Sequence, residues 1–109
     1  MALFKRKKEN ERQLTDFRAR RDMLAERLAR AERSLAEAVA DRQRVLLESA
    51  DLDIPADEPI IIERLREEAG ALQVAIGSLD GRIAEVKQRL VAERDRRMRQ
   101  GEADLWSTS

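Results

Sequence analysis

The chemistry open to this sequence is electrostatic. Histidine, cysteine and tyrosine are absent, which removes imidazole bases, thiolate nucleophiles, Cys/His zinc sites and disulfides. What remains is clustered charge. In MALFKRKK, the cations Lys5, Arg6, Lys7 and Lys8 follow Leu3 and Phe4 without an intervening acid, and in RDRRMR the cations Arg94, Arg96, Arg97 and Arg99 fall within one short run. Such clusters can contact the phosphates of nucleic acid or of an anionic membrane surface. With no aromatic interleaving beyond Phe4, they do not read base sequence. The competing reading of residues 1–10 is a disordered, solubilising basic arm.

The acids cluster elsewhere. Glu48, Asp51 and Asp53 crowd the expected C-terminus of a helix, where the helix dipole prefers cations; they are either exposed turn and cap residues or groups serving a partner. As a calcium loop DLDIPADE fails, because Pro55 and Ala56 stand where an EF-hand needs a ligand and a glycine. No nucleophile, base and orienting group fall together, and carboxylates on solvated helices lack an enclosed site that would tune them. The expectation is a protein without catalytic residues, metal, cofactor or small-molecule substrate. The formal net charge is zero, yet residues 1–35 carry +5, residues 36–81 carry −7 and residues 82–109 carry +2.

These charges are positioned by helices. From Leu14 the apolar residues follow a 3,4 spacing through Phe17, Leu24, Leu28, Ala31, Leu35, Ala38 and Val45, with Arg21 and Arg42 in the same series. Ile62, Leu65, Ala69, Leu72, Ile76, Leu79, Ile83, Val86 and Leu90 repeat it, with Glu93 at the next seam position. Asp80-Gly81 between apolar residues is also a hairpin-turn signal. The helical period nevertheless runs through Gly70, Gly77 and Gly81 without a slip, and RIAEVKQRL has helical rather than alternating spacing, so the stretch reads as helix. Between the two series, Pro55 disfavours helical geometry at Ile54, while Pro59 suits a first helical turn capped by Asp57 or Glu58.

The expected fold is all-α: an antiparallel two-helix coiled-coil hairpin about 60 Å long, dimerising into a four-helix arrangement. Its parts are a basic arm (1–10), a helical hairpin (11–100; helix 11–50, turn 51–58, helix 59–99) and a flexible tail (101–109) that Gly101 begins and that carries Trp106, the one tryptophan. Trp106 either packs back on the open end or serves as a docking anchor. An antiparallel register in which facing residue numbers sum to 114 sets Leu28 opposite Val86, Ala31 opposite Ile83 and Ala38 opposite Ile76, small against large. It also pairs Arg21 with Glu93.

Outward columns of the second helix are unexpectedly small and uncharged. Gly70, Val74, Gly77, Gly81 and Ala84 face away from the seam, where a solvated helix carries charge. Small residues there let another helix approach, or are merely tolerated. Val39, Leu46 and Leu47 widen the apolar surface near the turn, and a second copy would cover it. The expected function is that of a cytoplasmic structural or interaction module, homodimeric and bound to another protein. The alternatives are a peripheral binder of nucleic acid or anionic membrane through the basic end, and a chaperone-like or secretion-related hairpin.

Overall fold

The computed structural model of the chain describes the backbone of residues 2–49 and 58–107, with side chains over 5–49 and 58–101. Two helices account for nearly all of it: α1 (Ala2–Glu48) and α2 (Ile60–Ser107), which form an all-α helical hairpin. Both are built from residues that lose little rotamer freedom in a helix, chiefly Ala, Leu, Arg and Glu. At the start of α2 the Pro59 carbonyl accepts from the amides of Ile62 (3.0 Å) and Glu63 (3.3 Å). Both Glu58 carboxylate oxygens meet the Arg66 guanidinium at 2.7 and 2.8 Å, strapping the first two turns. Asp57, the other candidate cap, and the turn segment 50–57 with Asp51, Asp53, Pro55 and Ala56 lie outside the described residues.

Both helices run past the outer boundaries expected from the sequence, while their turn-side ends fall within two residues of the expected ones. Lys5 to Lys8 are not a separate arm: α1 includes them, because no glycine or proline interrupts the chain between Ala2 and Leu14, and Asn10 is part of the helix and does not cap its start. Nor does Gly101 stop α2. A terminating glycine works by adopting a left-handed conformation, and none of the described glycines has a positive φ, so α2 continues to Ser107. The side chains of Leu3, Phe4 and Trp106 lie outside the described residues.

The chain divides into two compact units, one of residues 1–21 with 78–109 and one of residues 22–77. Each has its own piece of apolar seam. In the 22–77 unit the buried residues are Ala31, Ile62, Ala69 and Leu72; in the other they are Ile83 and Val86, joined by the polar Asn10.

The pairing register differs from the sum of 114. In the unit of 1–21 and 78–109, Asn10 Nδ2 donates to Glu93 Oε1 at 3.4 Å, Arg21 pairs with Asp80, and Arg82 lies 5.9 Å from the centre of the Phe17 ring. In the 22–77 unit, Ala31 shares a hollow with Leu65 and Glu68, and Ala38 shares a groove with Ile62 rather than facing Ile76. All of these contacts correspond to sums of about 100, two heptads from 114. A shift by whole heptads keeps every a position facing a d position, so apolar periodicity cannot distinguish the two registers. The Arg21 and Glu93 pair is thereby dissolved, since each takes another partner. At the observed register Ala31 lies opposite Ala69, a layer of two small side chains that lets the helices approach closely.

Candidate interaction surfaces

The register has a direct consequence at the turn end of the 22–77 unit. With Ala38 level with Ile62, the last turns of α1 run past the start of α2, and Val45 has no α2 residue level with it. Val45, assigned to the seam by its spacing, is exposed; Leu47 is 82% exposed and Ile60 67%. Ala38, Val45, Leu46, Pro59, Ile60, Ile61 and Ile62 line a groove of about 590 Å³, with Asp41, Arg42 and Glu58 as its charged members. Asp41 is held by Arg44 at 2.7 Å on the same helix. Exposed apolar residues grouped in this way mark a contact surface, whereas isolated ones would not.

The remaining residues of the expected self-association surface fall as follows. In the 22–77 unit Leu46 and Val74 are exposed, Gly77 is exposed, and Val39 and Gly70 are half-buried; in the other unit Gly81 and Ala84 are exposed. A methyl group added at Gly70, Gly77 or Gly81 would meet no heavy atom within 4 Å. These columns therefore point away from the seam, with open space where a neighbouring helix would come.

In the unit of 1–21 and 78–109, the two basic runs meet. Arg6 shares a hollow of about 260 Å³ with Arg89 and Arg96, and Lys7 shares one of about 330 Å³ with Arg94 and Arg97. Lys5, Lys8 and Arg99 are exposed. Carboxylates temper both hollows: Glu9 and Glu93 line the first, Glu11 and Glu93 the second. Three cations against two acids in each leave a weak positive field, far from the concentrated charge of a dedicated phosphate cleft. No family model, curated protein or solved structure matches the chain. Among the described residues there is no group of three or more carboxylates placed to hold a metal ion, and no helix is long and apolar enough to cross a membrane.

Asn10 is the residue that the sequence reading missed. It stands seven residues before Phe17, so the heptad carried back from Leu14 and Phe17 reaches Lys7 and Asn10. That extension was the available signal. Asn10 is buried, and its amide meets a carboxylate whose second oxygen, Glu93 Oε2, is buried without a hydrogen-bond partner. A half-satisfied polar layer costs stability compared with an apolar one. Asn10→Leu alone should lower the melting temperature, by the equivalent of about 1–3 kcal/mol, because it strands Glu93 altogether. Asn10→Leu with Glu93→Leu should raise it above that of the unaltered chain. Thermal melts of the three proteins check both signs; a double variant no more stable than the single one would mean that losing Asn10 does not strand Glu93.

Proposed function

We propose that the chain is a cytoplasmic, non-enzymatic coiled-coil interaction module that self-associates, as a dimer, through its turn-proximal half and offers its charged helix faces to another protein. The apolar surface around the turn-end groove carries this reading, because Val45, Leu46, Leu47, Ile60 and Ile61 are all exposed there. The open columns at Gly70, Val74, Gly77, Gly81 and Ala84 add room for a neighbouring helix. Without histidine, cysteine or tyrosine, the chain has little to offer catalysis. Sedimentation equilibrium tests the proposal: the unaltered chain should approach a mass of about 25 kDa, twice the single-chain value. Leu46→Glu with Leu47→Glu should return it to the single-chain mass with its helicity intact. A single-chain mass for the unaltered protein up to high concentration would retire the reading.

A second reading rests on the meeting of Lys7 with Arg94 and Arg97, and of Arg6 with Arg89 and Arg96. It makes the basic end a peripheral polyanion binder. The same preparations, added at low salt to duplex DNA or to vesicles containing phosphatidylserine, should then bind in a manner that falls steeply with salt and that neutralising Lys5, Arg6, Lys7 and Lys8 abolishes. No binding by the unaltered chain at low salt would remove this reading.

A further inference from the structure

Self-association through the turn end requires a matching surface on the second copy, and charge argues against two turn ends meeting. Residues 22–77 hold thirteen acidic and seven basic side chains, whereas 1–21 with 78–109 hold nine acidic and fifteen basic ones. Two turn ends brought together would therefore set like net charges against each other, which disfavours that pairing. The complement lies on the other unit. There α2 exposes Val91 (57%) and Met98 (62%), one heptad apart in the same outward column. Arg94 lies between them on that face, and Arg94, Arg97 and Met98 border one hollow. This is an apolar ridge with a cationic flank. The groove is its counterpart: Val45, Leu46, Ile60 and Ile61 supply an apolar floor, and Asp41 and Glu58 border it together with one cation, Arg42. Glu48, two turns beyond Asp41, lies on the same side of α1, with Arg44, the partner of Asp41, between them.

We propose that the turn-end groove of one copy receives the Val91 and Met98 face of α2 from a second copy, with Arg94 and Arg97 directed toward Asp41 and Glu48. Every copy carries both a groove and a ridge. Reciprocal exchange closes a dimer with two equivalent contacts, and non-reciprocal exchange extends a chain. Apolar burial supplies the affinity, while the charges select ridge-to-groove pairing over groove-to-groove pairing. The inference rests on the self-association proposed above.

Charge exchange between two variants of the full chain tests it. One carries Arg94→Glu with Arg97→Glu, the other Asp41→Arg with Glu48→Arg. All four sites are solvent-exposed, and an arginine at position 48 suits the C-terminus of α1 better than the native acid, so circular dichroism should show both variants as helical as the parent. Sedimentation velocity of each variant alone should show association weakened by about tenfold or more, and the equimolar mixture should recover the parental behaviour, since every contact in the mixed complex again joins opposite charges. Val91→Ser with Met98→Ser should weaken association as well, without altering charge. If the first variant associates as strongly as the parent, or if the mixture recovers nothing, the ridge is not the partner of the groove, while self-association by another surface stands. If the parent does not associate at any concentration, both proposals fall.

Discussion

Ile62→Asp is expected to unfold the turn-proximal unit. Ile62 is 1% exposed in the first turn of α2 and, among the described residues, is with Val86 one of the two largest fully buried side chains. Losing its apolar burial removes about 2–3 kcal/mol. Placing a carboxylate there adds several more, the cost of taking an ionised group out of water into the seam. A seam this narrow has little stability to lose: marginal domains are held by about 5–15 kcal/mol, and each unit here buries only a few apolar residues among those described. Circular dichroism at 222 nm should show most of the helicity of the 22–77 unit gone at room temperature. Ile60→Asp is the informative control, because Ile60 is two residues away and largely exposed. Under dilute conditions it should leave helicity and melting temperature nearly unchanged. Equal losses from the two substitutions would mean that the seam does not distinguish the positions, and the described packing would be wrong.

Ala31→Cys with Ala69→Cys should form an intramolecular disulfide in high yield. The two alanines are buried in the same unit and face each other at the observed register. Their layer of small side chains brings the Cβ atoms toward the separation that a disulfide requires. The closed loop holds slightly fewer than 40 residues, and the chain-entropy treatment assigns such a crosslink about 4 kcal/mol. The oxidised protein should therefore melt well above the reduced one. Ala38→Cys with Ile76→Cys, which a pairing sum of 114 would bring face to face, should stay reduced under the same mild oxidation. Non-reducing electrophoresis at low protein concentration separates the outcomes. Crosslinking of the second pair in place of the first would restore the other register.

Much of this architecture can be read directly from the residues. The 3,4 spacing from Leu14 to Val45 and from Ile62 to Leu90 specifies two helices, and it continues through Gly77 and Gly81 because a glycine weakens a helix without ending it. The axial offset cannot be read in that way. Leu, Ile and Ala recur at equivalent seam positions, so several offsets bury comparable surface. Arg21 found a partner under either offset, Glu93 in one and Asp80 in the other, which is why a plausible charge pair did not discriminate. The groove was hidden for the same reason: Val45 and Ile62 each look like ordinary seam residues until the offset carries Val45 past the start of α2. Asn10 escaped notice because a reading anchored on apolar residues ends where polar ones take over the same columns.

The opposed charges of the two units also govern how the molecule meets salt and pH. At an ionic strength of 0.15 M the screening length is about 8 Å, short beside helices of 47 and 48 residues. An approaching molecule therefore responds to the local sign and not to the formal total of zero. Near the isoelectric point of about 6.4, when the overall charge vanishes, the acidic and basic patches remain strongly ionised, and attraction between unlike patches on different molecules is least opposed. Added electrolyte screens that attraction before it has any other effect, so in this range a modest amount of simple salt keeps the protein dissolved instead of driving it out.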